Sequence, residues 1–130
     1  MSMNCLLDTH LLLWAAGAPE KLSAIALQWI ENPENMLYFS PASFWEIAIK
    51  NQLGRTDFKL DARLLKRGLL DNGYRELSIN TEHSLHINWL PPIHKDPFDR
   101  MLVAQAIIEG MVLLTADAVV AQYVGSIQKV

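Results

Sequence analysis

The chain has 130 residues, of which 51% are hydrophobic and 19% charged, and its formal net charge is -3. The length suits a single domain over residues 1–130, and the composition is typical of a compact, soluble protein. The negative charge argues against simple electrostatic binding to nucleic acid, but it leaves room for an acidic site that metal ions neutralise.

Hydrophobic periodicity and turn signals predict alternating strands and helices along the whole chain. The predicted strands cover 4–7, 36–39, 74–79, 111–115 and 126–130. The predicted helices cover 9–16, 23–31, 40–53, 60–70, 81–89, 97–109 and, as a short helix, 118–123. Short connections between alternating elements predict an α/β fold, a three-layer sandwich with a mostly parallel central sheet.

The N-terminal part raises the question of a targeting signal. Residues 11–18 are apolar, but Asp8 and His10 precede them and the first basic residue is Lys21, so a signal peptide is not expected. No stretch is long enough to span a bilayer. The lone cysteine, Cys5, has no partner for an intrachain disulfide and is interpreted as a small core residue. We therefore expect a cytoplasmic protein.

The best-marked helix lies in residues 94–110, HKDPFDRMLVAQAIIEG. Asp96 can cap it, Pro97 can occupy its first position and Gly110 can end it. The helix is apolar enough to be buried on more than one side. Asp99 lies one turn inside, where an ionised carboxylate is costly unless something compensates its charge.

An acidic residue lies at the junction of an apolar run and a helix four times, at Asp8, Glu46, Asp99 and Asp117. Capping and the helix dipole explain such acids without any function, at about 0.5–1 kcal/mol each. For Glu46, a capping box with Ser43 is disfavoured because Ser40-Pro41 starts that helix earlier. If all four share the ligand-binding edge of a parallel sheet, they repel one another unless protons or cations intervene. Oxygen ligands favour Mg²⁺ or Mn²⁺, and hydrolysis of a nucleic-acid backbone is then the leading reaction.

Four segments together resemble a known family: LLDTHLLLW, SFWEIAIK, HKDPFDRMLVAQA and LLTAD. In order and spacing they are similar to the PIN-domain family, and in particular to the VapC-type ribonuclease toxins. The resemblance implies a PIN-like fold and a Mg²⁺- or Mn²⁺-dependent endoribonuclease whose metal ligands and catalytic residues are Asp8, Glu46, Asp99 and Asp117. Asp8 and Asp99 would be the firmest ligands, Thr115 would orient a ligand or water, and Asp96 would remain a cap.

The same resemblance implies partners. They are an RNA substrate, a cognate antitoxin whose extended segment covers the acidic groove, and a second copy of the chain in a homodimer. Trp14, Trp45 and the basic segment 50–67 are the surfaces expected to take part.

Two alternative interpretations of the same acids are a binding module and a phosphoaspartate protein. A catalytically silent RNA- or protein-binding module would keep the fold and use its acids only as caps. Phosphoaspartate proteins fit poorly, because Asp8 is followed by Thr9 and His10 rather than by a second acid. His83 and His86 have the spacing of metal ligands, but no third ligand lies nearby in sequence, so a zinc site is not favoured.

Overall fold

The computed structural model describes residues 2–54 and 60–130. Its strands are β1 (Asn4–Leu7), β2 (Met36–Phe39), β3 (Arg75–Glu76), β4 (Val112–Thr115) and β5 (Ile127–Lys129). Its α-helices are α1 (Thr9–Gly17), α2 (Ala24–Glu31), α3 (Pro41–Gln52), α4 (Ala62–Asp71), α5 (Thr81–His86) and α6 (Pro97–Glu109), and short 3-10 helices cover Pro19–Lys21, Ile87–Trp89 and Val120–Gln122. None of these helices has the length and apolarity needed to cross a bilayer, as far as the described residues go.

The described strands form one sheet in the order β3-β2-β1-β4-β5, and every neighbouring pair is parallel. The α/β sandwich with a parallel central sheet, predicted from the alternation of elements, is therefore confirmed. The strand order reverses between β1 and β4, and ligands in open parallel sheets bind outside the carboxyl ends of the strands at such a point. In this chain the residues that follow those two strands are Asp8 and Ala116.

Helices cover both faces of the sheet because the central strands are apolar on both sides. Cys5 and Leu7 point into one core cluster with α1, α2 and α4, whereas Leu6 points into the other with α6. Cys5 is fully buried, as expected for a core residue, and burial raises the pKa of its thiol to about 11. A Leu→Ala change in either cluster would cost about 2–5 kcal/mol of stability.

Helix α6 begins and ends where its sequence predicts. The Asp96 carboxylate accepts hydrogen bonds from the amides of Phe98 and Asp99, Pro97 is the first helical residue, and Gly110 ends the helix in the left-handed conformation with φ 67°. Five consecutive residues, 102–106, are buried, so α6 is enclosed on more than one side. Its N-terminal end lies at the sheet edge to which Asp8 belongs.

Two predicted elements are shorter than expected. The strand predicted over 74–79 is β3, only two residues long, because it is an edge strand paired with β2 alone and Tyr74 turns into the core instead. The helix predicted over 118–123 is one turn of 3-10 helix, since the amides of Val119 and Val120 both bond to the Asp117 carboxylate and Tyr123 leaves the turn in an extended conformation.

Candidate active site

Asp8 stands at the carboxyl end of β1, the central strand, and caps helix α1. Its Oδ1 accepts a hydrogen bond from the amide of Leu11 at 2.9 Å. Its Oδ2 accepts from Thr115 Oγ1 at 2.6 Å and from the amide of Ala116 at 3.2 Å. The side chain is only 5% exposed, and burial raises its pKa against the opposing effect of these hydrogen bonds. Asp8 is therefore a fixed carboxylate that the fold itself orients.

Asp117 is tied to Asp8 through a single hydroxyl. The Thr115 Oγ1 that donates to Asp8 also accepts a hydrogen bond from the amide of Asp117 at 3.0 Å. Partial burial acts to raise the pKa of Asp117, but hydrogen bonds from the amides of Val119 and Val120 and from His94 outweigh it and lower the pKa. The carboxylate of Asp117 is thus ionised and more exposed than that of Asp8.

Among the partly exposed acids at this edge of the sheet, Asp99 has the pKa that departs most from its usual value. Burial, followed by the charges of Asp96 and Glu46, raises its pKa to about 7, and Asp8 adds to this while His94 opposes it. Burial is therefore the main cause of the raised pKa, and the neighbouring carboxylates add to it. A carboxyl group with this pKa is half-protonated near neutral pH when no cation is bound.

His94 lies between Asp99 and Asp117. Its Nε2 is 3.3 Å from Asp99 Oδ2 and 3.1 Å from Asp117 Oδ2, and its Nδ1 accepts a hydrogen bond from the amide of Asp96 at 2.9 Å. One ligand atom from each of His94, Asp99 and Asp117 lies within 4.8 Å of the other two. Within the described parts of the chain, these three side chains make the most compact group at this edge that could hold a metal ion.

Glu46 is buried in the second turn of α3 and both of its carboxylate oxygens have partners. Oε1 accepts from Thr9 Oγ1 at 2.7 Å, and the same hydroxyl lies 2.9 Å from Ser43 Oγ. Oε2 forms an ion pair with Lys50, one turn further along α3. Ser43 therefore contributes to a hydroxyl network and does not form a capping box with Glu46.

A family model described as "PIN domain" matches residues 5–125, almost the whole chain. The chain belongs to the PIN-domain family. This membership confirms the resemblance found in the sequence, and it supports a hydrolase that acts on nucleic acid. A comparison with curated protein sequences gives no match.

Solved structures similar to this PIN domain include chains of three VapBC proteins. They are VapBC2 from Rickettsia felis bound to a DNA fragment from their promoter (12% identity, TM-score 0.69), DNA-bound VapBC from Salmonella typhimurium (16%, 0.66) and VapBC-1 from nontypeable Haemophilus influenzae (20%, 0.68). In each case the match covers 98% of both chains. At these identities the likeness shows that the fold is shared over its full length.

The PIN-domain fold brings the four predicted acids to one edge of the sheet, but not into one equally tight cluster. Asp99 and Asp117 are close, and Asp8 is linked to Asp117 through Thr115. Glu46 influences Asp99 electrostatically while its own oxygens bond to other side chains. The position of Thr115 is as expected for a residue that orients an acid.

His94 belongs to this site although sequence analysis assigns it no role. It begins the HKDPFD motif, two residues before the helix cap, so an imidazole beside a helix-opening acid is the signal that could have revealed it. His83 is different: it is fully buried, its Nδ1 accepts from the amide of Asn80, and its Nε2 bonds to Glu109 at 2.7 Å. Its Nδ1 completes the capping box at the start of α5, and its Nε2 joins α5 to the end of α6.

The donor chemistry of the site fits a divalent cation. Carboxylate oxygens predominate, and an ion such as Mg²⁺ accepts oxygen ligands while keeping positions for water or phosphate. Burial raises the pKa of Asp99 most, and the charges of Asp96, Glu46 and Asp8 raise it further although His94 opposes them. A bound cation would remove that electrostatic cost.

Proposed function

We propose that this PIN-domain protein is a Mg²⁺- or Mn²⁺-dependent endoribonuclease, and that it is the toxin of a VapC-type toxin-antitoxin pair. The observation that carries the proposal is the position of Asp99, which is partly buried at the switch point of the sheet, lies beside Asp117 and has its pKa raised by burial and by the charges of neighbouring carboxylates. Helix capping alone does not explain why several carboxylates lie at one edge of the sheet. A site that binds a cation and a phosphodiester requires such an arrangement.

The proposed metal ligands and catalytic residues are Asp8, Glu46, Asp99 and Asp117. At such a site Mg²⁺ or Mn²⁺ supplies activation of water for attack on phosphorus and neutralisation of charge on the leaving oxygen. Asp99 and Asp117 would hold the cation most directly, because a carboxylate oxygen of each lies within 4.8 Å of the other. Thr115 fixes Asp8 through its hydroxyl and holds the amide of Asp117, so it keeps the two acids in register.

The surface beside the acids offers contacts for a single-stranded RNA. Trp45 precedes Glu46 on α3, is 61% exposed and packs edge-on against Phe98 with ring centroids 5.0 Å apart. An exposed indole can stack on a base, whichever base it is. Lys50, Arg63, Lys66 and Arg67 supply positive charge on α3 and α4, and the rest of the predicted basic segment, 55–59, lies outside the described residues. Trp14, by contrast, is partly buried and packs on the core.

The proposed antitoxin has a surface to bind as well as an acidic groove to cover. An apolar groove of about 910 Å³ runs between α1 and α4, lined by Leu13, Trp14, Leu64 and Leu69 among others. Leu64 is 64% exposed and adjoins the other apolar side chains of this groove, so together they form a continuous apolar surface. A segment with alternating apolar side chains would bury this surface. We also propose that the chain pairs as a homodimer, which sedimentation equilibrium would test.

The experiment that tests the nuclease is cleavage of total cellular RNA by the antitoxin-free protein in Mg²⁺, Mn²⁺ or EDTA. We expect cleavage in either metal, none in EDTA, and none from Asp8→Asn or Asp99→Asn. A parallel assay on DNA of the same length tests the preference for RNA.

Asp61→Asn is the matched control for these variants. Asp61 is an exposed cap of α4, and asparagine caps a helix as well as aspartate does, so this variant changes charge by the same amount without touching the site. Asp61→Asn should cleave RNA as the wild type does. If the wild type, Asp8→Asn and Asp99→Asn all behave alike, the nuclease proposal fails and a catalytically silent binding module takes its place.

A further inference from the structure

The protonation of the His94 ring follows from its backbone neighbour. Nδ1 faces the amide of Asp96 at 2.9 Å, and a backbone N–H can only donate. Nδ1 therefore carries a lone pair, and in the neutral ring the proton is on Nε2. This is the nitrogen that lies between Asp99 and Asp117.

The Nε2–H group of His94 lies where two acidic side chains approach each other. It bonds to Asp117 Oδ2 at 3.1 Å and lies 3.3 Å from Asp99 Oδ2, and the side chains of His94 and Asp99 are only 17% and 19% exposed. A hydrogen bond to an ionised acceptor is stronger than one between neutral groups, and partial burial reduces its competition with water. The proton of His94 thus occupies the position where the two acids would otherwise repel each other.

The same hydrogen bonds disfavour His94 as a metal ligand. To coordinate through Nε2, the neutral ring would have to move its proton to Nδ1, where it would face the Asp96 N–H donor to donor. His94, Asp99 and Asp117 could therefore bind one metal ion together only if the hydrogen bond from the Asp96 amide to Nδ1 were lost. Two carboxylates without the imidazole require no change of tautomer and bring no two donors face to face.

The loop that carries His94 is fixed through its backbone, which leaves the side chain able to turn away. The amide of His94 donates to Tyr123 Oη at 2.8 Å, and the Arg100 guanidinium bonds to the same Oη at 3.1 Å and to the carbonyl of Pro91 at 3.0 Å. None of these bonds involves the imidazole. Rotation about the side-chain torsions of His94 would break the bond from the Asp96 amide to Nδ1 but would leave these contacts of the loop intact.

We infer that His94 is a positioning residue that occupies the cation position in the metal-free protein: its Nε2–H bonds to Asp117 beside Asp99, and the ring leaves when the metal ion binds. The inference rests on the proposed metal-dependent function. It gives the carboxylate pair a preformed geometry, and it makes metal binding an exchange of a hydrogen-bond donor for a cation.

Two measurements test this role without any measurement of nuclease activity. The first is the two-bond ¹H–¹⁵N spectrum of the ring of His94 in the wild-type protein, in EDTA and then in Mg²⁺. We expect the Nε2–H tautomer in both conditions and a change in the Nε2 environment on adding Mg²⁺. An Nδ1–H tautomer in EDTA would overturn the inference, as would a switch to it in Mg²⁺, which is the mark of a ligand.

The second measurement is the affinity for Mn²⁺ by calorimetry of the wild type, His94→Ala and His94→Gln. Loss of a hydrogen bond to charged acceptors destabilises only the metal-free state, so His94→Ala should bind Mn²⁺ about tenfold more tightly. His94→Gln, whose amide can still donate to both acids, should bind much as the wild type does. A weaker affinity in His94→Ala would overturn the inference and leave the proposed nuclease intact.

Failure of the proposed function has a different signature. If neither the wild type nor His94→Ala binds Mn²⁺, both the proposed metal-dependent function and the proposed replacement of the His94 ring by the metal ion are wrong. If His94→Ala does not fold, the ring spectra of the wild-type protein still decide between a donor and a ligand.

Discussion

The hydroxyl of Thr115 joins two acids that the sequence keeps apart: it donates to Asp8 Oδ2 at 2.6 Å and accepts from the amide of Asp117 at 3.0 Å. Thr115→Val keeps the shape of the side chain and removes only this hydroxyl. We expect the variant to lose about 10–100-fold in metal affinity and RNA cleavage, because Asp8 and the Asp117 turn are no longer held in register. The free energy of unfolding should fall by about 1–3 kcal/mol, since a buried acceptor loses a donor.

Thr115→Ser separates the hydroxyl from the rest of the side chain. It keeps the Oγ and should recover most of the affinity and the activity. If the valine variant binds Mn²⁺ and cleaves RNA as the wild type does, Thr115 has no part in orienting Asp8.

Asp99 should make the metal-free protein less stable as pH rises. Its pKa is raised from 3.8 to about 7, so between these values the folded chain holds a proton that the unfolded chain has released. Unfolding then releases a proton, and the free energy of unfolding contributed by this group falls with pH until the folded group is itself ionised. Asp99→Asn has no carboxyl group at this position, so it removes this dependence of the free energy of unfolding on pH. In EDTA at pH 8 this variant should be more stable than the wild type by on the order of 2 kcal/mol, and near pH 4 the difference should vanish.

Thermal melts in EDTA across this pH range measure the effect directly. Addition of Mg²⁺ at pH 8 should reverse the order, because the cation stabilises only the protein that binds it. An Asp99→Asn variant that melts below the wild type at pH 8 in EDTA would contradict the raised pKa and the crowding of carboxylates around it.

Trp45 is expected to bind RNA through its exposed indole. Loss of one base-stacking contact costs about 1–3 kcal/mol, so Trp45→Ala should weaken binding of a single-stranded RNA by about ten- to a hundredfold. Fluorescence anisotropy of a labelled RNA in an Asp8→Asn background measures binding without cleavage. Trp89, which is 80% exposed on a different element, provides the matched control. Equal effects of Trp45→Ala and Trp89→Ala would mean that the loss is not specific to the rim of the site.

The basic residues on α4 should attract RNA electrostatically and take no part in the cleavage reaction itself. Arg63→Gln and Lys66→Gln together should weaken RNA cleavage mainly at low salt, because exposed charges act through a field that salt screens. Lys66 is 3.9 Å from Glu76, a loose surface pair that contributes little to stability, so the melting temperature should hardly change. If neither RNA cleavage nor antitoxin affinity changes, this face has no role in either interaction.

The sequence predicts most of the fold because its signals are local. Asp96, Pro97 and Gly110 delimit α6, and the apolar runs delimit β1, β2 and β4, so hydrogen bonding and periodicity suffice for these elements. The edge strand β3 was overestimated because its length depends on a neighbour on one side only. No local pattern specifies how far such pairing continues.

The candidate site was predictable as a set of acids but not as an arrangement. Motif order identifies the four acids, and it does not reveal that Glu46 is engaged by Thr9 and Lys50 while Asp99 and Asp117 share His94. The acids and these partners come from four separate segments of the chain. Only the pairing of β1 with β4 and the direction of α6 bring them to one place.

The hydrogen bond between Thr115 and Asp8 spans 107 positions of the chain. During synthesis from the N-terminus, Asp8 leaves the ribosome long before the strand that completes its surroundings exists. Until β4 pairs with β1, the growing chain contains helices and acids but no assembled carboxylate site. A proposed toxin built in this way cannot cut the RNA around it while it is still being made, and its partner meets the finished site only once β4 is in place.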